Sequence, residues 1–108
     1  MSNIILLQAA SQGTPGKTGD PAKMDGSSVV ISIRATSYGT DGKVVMKASE
    51  DGTNFTTLED PATSSGLAEY SADIMFNVDR LAQGWTIRAD LVITTGTATG
   101  LKVTMGTN

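Results

Sequence analysis

Residues 85–95 read WTIRADLVITT, and the alternation of side chains in this stretch decides the fold class. Apolar and polar residues follow one another with a period of two, which puts the two sets on opposite faces of an extended chain. One face would consist of Trp85, Ile87, Ala89, Leu91 and Ile93, and the other of Thr86, Arg88, Asp90 and Thr94. This stretch is therefore predicted to be a β-strand that packs one face on a hydrophobic core.

The same period of two recurs in segments on both sides of this strand. These segments are residues 29–35, 43–49 and 67–78, together with the final apolar positions Leu101, Val103 and Met105. Asp41-Gly42 is a hairpin signal and Asp51-Gly52 marks a second turn. No connection has the helix that parallel strands require, so antiparallel pairing is predicted, with at most a single helical turn within residues 77–84.

About seven or eight strands with regular turn signals indicate an all-β fold, either an antiparallel β-sandwich or a jelly-roll-like small barrel. A chain of 108 residues is too short for two separate cores, so one domain is predicted. Residues 29–108 would form the body of the sandwich. Residues 1–28 would form an N-terminal part, with residues 4–9 as a first strand or extended arm and residues 10–28 as a long Gly- and Pro-rich loop.

Composition argues against several classes of function. The formal net charge is −3 and the eight Lys and Arg are scattered, whereas a nucleic-acid backbone requires a basic stripe. With no Cys and no His, the chain lacks disulfides, thiolate metal ligands and the commonest general base. The apolar run near the start follows no positive charge and is too short to span a membrane. We therefore predict a non-enzymatic protein, without cofactor or metal, made in the cytoplasm.

The stretch GTPGKTGDP, residues 13–21, resembles two unrelated motifs. Gly16-Lys17-Thr18 matches the end of a phosphate-binding loop, but Ser11 stands where the first Gly is required. Gly19-Asp20-Pro21 also cannot continue as the helix that such a loop precedes. The same letters form three Gly-X-Y triplets, whose register ends at Ala22. We predict a proline-stiffened loop that makes contacts or is flexible, and that binds no phosphate.

Other candidate sites have simpler structural explanations. Residues 50–54, EDGTN, bring oxygen ligands together but lack the spacing of a calcium loop, and an Asp-Gly turn explains them. Glu59 with Asp60, or Asp73 with Asp79, could form a carboxylate pair for glycoside hydrolysis, yet nothing in the sequence brings either pair across a cleft. Trp85 is predicted to pack in the core. Tyr38 is the one aromatic residue predicted to be free to contact a ligand.

Two motifs carry a family resemblance. Residues 43–59, KVVMKASEDGTNFTTLE, contain a hairpin similar to the S-x-D-G-T-N-[WF]-x-x-L hairpin of small tailed-phage virion proteins and of discoidin-like sandwiches. Residues 84–89, GWTIRA, followed by GLKV at 100–103, resemble the closing hairpin of the phage group. Within that group the chain is most similar to head decoration, or cement, proteins. The resemblance implies a small β-sandwich without catalytic residues, built into the virion and often trimeric on the capsid surface.

The function implied is that of a capsid decoration protein, which binds the assembled shell and stabilises it through contacts with the major capsid protein and with its own copies. A tail, baseplate or fibre component is the first alternative. A discoidin-like carbohydrate-binding module, with a glycan as ligand, is the second.

Candidate contact residues for the capsid or a neighbouring subunit lie in the N-terminal part. They are Ile4, Ile5, Leu6, Leu7, Pro15, Lys17, Pro21, Lys23 and Met24. Apolar residues at outward positions, namely Val30, Val45 and Val92, would either form further subunit contacts or belong to a second core face.

Overall fold

Two antiparallel sheets form a β-sandwich in the computed structural model, which describes residues 3–24, 28–78 and 84–107. The predicted all-β fold is thus confirmed. The predicted helical turn falls mainly on residues 79–83, which lie outside the described residues. Within the described ranges, no helix is long and apolar enough to cross a membrane.

The chain passes back and forth between the two sheets. They are β1 (Asn3–Gln12), β2 (Gly16–Thr18), β3 (Ala22–Lys23), β4 (Val29–Arg34), β5 (Lys43–Ser49), β6 (Thr56–Thr57), β7 (Glu69–Tyr70), β8 (Ile74–Val78), β9 (Thr86–Val92) and β10 (Ala98–Thr107). Sheet A has the order β1-β10-β4-β8. Sheet B has the order β2-β9-β5-β6, with β3 also paired to β9 and β7 also paired to β5. Consecutive strands β2 and β3, and then β5, β6 and β7, thus lie in the same sheet.

The core lies between the sheets and consists of the apolar faces that the sequence predicted. On β9, Ile87, Ala89 and Leu91 are buried, and on β4 the buried set is Val29, Ile31 and Ile33. The same cluster includes Leu101, Val103 and Met105 of β10. Burial of each Ile or Leu side chain contributes about 1.5–3 kcal/mol, so these alternating faces account for much of the stabilisation.

The predicted hairpin at Asp41-Gly42 is wrong. β4 belongs to sheet A and β5 to sheet B, so the connection between them crosses from one sheet to the other. The Asp41 carboxylate instead accepts the backbone N–H groups of Thr94 and Thr95, at 3.0 and 2.9 Å. A side chain at Gly42 would place its Cβ 2.0 Å from the Tyr38 carbonyl oxygen, so the corner requires glycine. The Asp51-Gly52 turn does join paired strands, β5 and β6.

Residues 67–78 form two strands in different sheets, and the prediction of one continuous strand is wrong. β7 pairs with β5 in sheet B, whereas β8 pairs with β4 in sheet A. The chain crosses between the sheets at residues 71–73, where Ala72 is exposed instead of inward-facing. The alternation stays in phase across the crossing, since Tyr70 and Val78 are both buried, and periodicity therefore did not reveal the break.

Residues 10–24 are not part of a structureless loop, contrary to what composition suggested, and residues 25–27 of the predicted loop lie outside the described residues. β1 continues to Gln12, and β2 and β3 then pair with β9 at the edge of sheet B. A Cβ at Gly16 would lie 1.9 Å from the Leu91 carbonyl oxygen, and one at Gly19 would lie 2.1 Å from that of Ala89. Two of the triplet glycines are therefore needed for close approach to β9, which explains the motif without collagen or phosphate.

Candidate contact surface

The candidate contact residues of the first strand divide between surface and core. Leu6 and Leu7 are both buried, because β1 contains a bulge between Ile5 and Leu7 that interrupts the alternation. Met24 is buried as well, at 2% exposure. Ile4 packs partly against the core, whereas Ile5 is 46% exposed. Of these five residues, Ile5 is therefore the one that a partner can reach most directly.

The other candidates lie along the edge of sheet B. Pro15, Lys17, Pro21 and Lys23 are all exposed. Lys17 reaches across to β1, where its Nζ donates a hydrogen bond to the Gln8 carbonyl at 2.9 Å. This segment therefore covers the free edge of β1 in addition to presenting exposed side chains.

The outer face of sheet A contains an uncharged row of side chains that crosses all four strands. Ile5 on β1 is paired in register with Thr104 on β10, Thr104 with Ser32 on β4, and Ser32 with Met75 on β8. Met75 is 62% exposed, and with Ile5 it forms the two apolar ends of this row. The neighbouring row on one side is also uncharged: Val30 on β4 is paired with Gly106 on β10 and with Asn77 on β8.

We call Ile5, Val30, Ser32, Met75 and Thr104 the sheet A patch. On the side of the patch away from Val30, the next row of paired residues contains two cations, Lys102 on β10 and Arg34 on β4, which lie next to each other. Both are exposed. The outer face of sheet A thus has an uncharged, partly apolar centre, with these two cations at its border and Asp73 close to Arg34.

The outer face of sheet B contains ion pairs between side chains of the sheet itself. Asp90 is only 6% exposed, and its carboxylate accepts hydrogen bonds from Arg88 Nε and Nη2, each at 2.9 Å. Lys47 Nζ lies 3.3 Å from the same carboxylate. The Phe55 ring covers the Arg88 guanidinium, with 4.3 Å between Cζ and the ring centroid. Charges on this face are therefore largely satisfied within the protomer.

The three outward-facing valines have different environments. Val45 is 5% exposed and is covered by the protein itself on the outer face of sheet B. Val30 is half-buried within the sheet A patch. Val92 is 38% exposed. Only Val30 and Val92 therefore remain accessible to a partner, and they lie on opposite sheets.

The EDGTN turn is stabilised by the carboxylate of Asp51. Its Oδ1 accepts the N–H groups of Thr53 and Asn54 at 2.8 and 2.9 Å and the Ser49 hydroxyl at 2.7 Å. These bonds, the Asn54 N–H first, hold the pKa of Asp51 well below its usual range. Within the described part of the chain, no group of three or more Asp or Glu residues is arranged to bind a metal ion.

Tyr38 is not free to contact a ligand, contrary to the prediction. It is half-buried against the core, and its hydroxyl donates to Asp73 Oδ1 at 2.8 Å. Burial, and then this bond to the carboxylate, raise the pKa of Tyr38 well above its ordinary value. Asp60 similarly accepts the Tyr70 hydroxyl at 2.6 Å. Two of the carboxylates considered for hydrolysis thus fix tyrosines in place, and Asp79 lies outside the described residues.

No protein-family model, no curated protein and no solved structure matches the chain. The resemblance to virion proteins accordingly rests on the two sequence motifs alone.

Proposed function

We propose that the chain is a head decoration protein of a tailed phage, which binds the assembled capsid through the sheet A patch. The observation that supports this most directly is the register row from Ile5 to Met75. It places two of the most exposed large apolar side chains at either end of an uncharged surface. Large exposed apolar groups on a rigid sheet are typical of protein interfaces.

The energetics suit a surface that is used for docking. Completing the burial of Met75 and Ile5 would contribute roughly 1 kcal/mol each, since about half of each side chain is already removed from water. A four-stranded sheet fixes the backbone of both residues before binding, so association does not have to order the chain that carries them. Lys102 at the border of the patch, together with Arg34, whose charge Asp73 partly offsets, would orient the protein on an acidic part of the shell.

Stabilisation of the capsid follows from linkage and needs no catalytic chemistry. A protein that binds the assembled shell, and not its separated subunits, stabilises the assembled state by mass action. At a concentration one hundred times Kd this amounts to about 2.7 kcal/mol per site. The partners are then the major capsid protein and, by resemblance, two further copies of the chain in a homotrimer.

The direct experiment is binding to undecorated heads of the phage that encodes the chain. We expect the purified protein to co-sediment with heads and to raise the temperature at which they release DNA. Light scattering of the free protein measures whether it is a trimer. Co-sedimentation with tails and not with heads would replace the proposal with the tail alternative, and binding to neither would reject a virion role.

A further inference from the structure

A cleft of about 530 Å³ opens at one end of sheet B, where the turn between β5 and β6 meets the residue that precedes β9. Trp85, the single tryptophan of the chain, lines this cleft. It is half-buried and packs against the core, so its position is fixed. Leu58 is also half-buried and lines the same cleft. Part of the wall is therefore apolar and rigid.

The charged part of the wall is negative. Glu50, Asp51 and Glu59 line the cleft, and its lining includes no Lys or Arg among the described residues. The cations of the adjoining strands, Lys47 and Arg88, are both paired with Asp90 on the outer face of sheet B. The cleft thus combines an aromatic, apolar wall with a negative one.

We propose that this cleft binds the side chain of an Arg or Lys residue presented by a partner protein. Such a side chain has an apolar stem and a cationic end, and each matches one part of the wall. Cations are attracted to the face of an indole ring, and carboxylates accept their N–H groups. A neutral sugar would also pack on Trp85 and could donate its hydroxyl groups to the carboxylates, but it carries no positive charge for the negative wall to attract. The site lies on sheet B and is independent of docking through the sheet A patch.

The single tryptophan serves as the reporter in the test. The peptide acetyl-Gly-Arg-Gly-amide is titrated into the full chain at low ionic strength, and Trp85 emission and its indole N–H resonance are followed. The same peptide with citrulline in place of Arg is the matched control, because it has nearly the same shape and no charge. We expect saturable binding of the Arg peptide, at least about five-fold tighter than that of the citrulline peptide.

Two variants of equal charge separate a local site from a general charge effect. Glu50→Gln is expected to weaken binding of the Arg peptide about two- to five-fold. Asp20→Asn removes the same charge at an exposed position that does not line the cleft, and it should leave the affinity unchanged. Circular dichroism checks that both variants fold.

Equal weakening by the two variants, equal binding of the two peptides, or no saturable change in either signal would each overturn the proposal. Saturable binding of methyl glucoside with no binding of the Arg peptide would also overturn it, and would assign the cleft to a glycan.

Discussion

Arg88 and Asp90 form a bidentate ion pair on β9, in which Nε donates to Oδ1 and Nη2 to Oδ2, both at 2.9 Å. Residues two apart on a strand lie on the same face, so the spacing itself allows the pair. Asp90 also accepts the Gly19 N–H at 3.2 Å and lies within 3.3 Å of Lys47 Nζ. One carboxylate therefore connects β9, β5 and the segment that follows β2.

We expect Asp90→Asn to lower the free energy of unfolding by about 2 kcal/mol, because Arg88 and Lys47 would keep their charges at a largely buried position without a carboxylate. Urea denaturation measures the change. Glu69→Gln is the matched control, since it breaks the Lys43–Glu69 pair, whose side chains are 41% and 22% exposed. That variant should lose less than about 1 kcal/mol. Equal losses would contradict a central role for Asp90.

The glycines of the GTPGKTGDP segment differ in how closely they approach β9. A Cβ at Gly19 would lie 2.1 Å from the Ala89 carbonyl oxygen and 2.4 Å from that of Leu6, whereas one at Gly13 would meet nothing closer than 3.8 Å. We expect Gly19→Ala to destabilise the protein by about 1–3 kcal/mol and to speed tryptic cleavage after Lys17 and Lys23. Gly13→Ala should do neither. Unchanged cleavage of the Gly19 variant would show that the segment is not held by this contact.

The Asp51 turn should contribute stability that depends on pH. Its pKa in the folded protein lies below the ordinary value of 3.8, so the contribution is present above that value and is lost as the pH falls through the folded pKa. Asp51→Asn removes this titration but keeps Asp41 and Asp73, whose pKa values are also lowered by hydrogen bonds, so the comparison isolates Asp51. We expect the Tm difference between wild type and variant to be largest at neutral pH and to shrink below about pH 4. A difference that is constant with pH would argue against the charge.

Substitution of Met75 should affect docking without affecting folding. Met75→Asp places a charge at the end of the sheet A patch, and we expect it to weaken capsid binding at least about ten-fold, with a change of less than about 0.5 kcal/mol in stability. Val92→Asp is the control, since Val92 is also exposed but lies in sheet B. If Val92→Asp weakens binding more than Met75→Asp, the capsid contacts sheet B instead.

The sequence predicted which face of each strand is buried better than it predicted which strands pair with one another. The two faces of β9 follow directly from a period of two, because successive side chains of a strand point alternately into the core and away from it. The Asp41-Gly42 pair was misleading, since the same residues that form a hairpin can also turn a corner between sheets. The short strands β2 and β3 gave no alternation, because they are only three and two residues long and glycine occupies the two closest approaches to β9, at Gly16 and Gly19.

Only part of the sheet A patch could be predicted from the sequence. Ile5 was among the candidate contacts, but Met75 was missed, although an apolar residue on the polar side of the alternation in residues 67–78 was a usable signal. What no local pattern could provide is the order β1-β10-β4-β8, which brings Ile5 and Met75 into one row although they are far apart in sequence.

That strand order also limits when the protein can fold during its synthesis. β10 lies between β1 and β4, so β1 has no partner in sheet A, and β4 has only β8, until residues 98–107 have been made. A chain still attached to the ribosome would expose the apolar faces of both strands. Completion of sheet A therefore requires β10, and a nascent chain that stalls before this strand would be a substrate for chaperones or proteases.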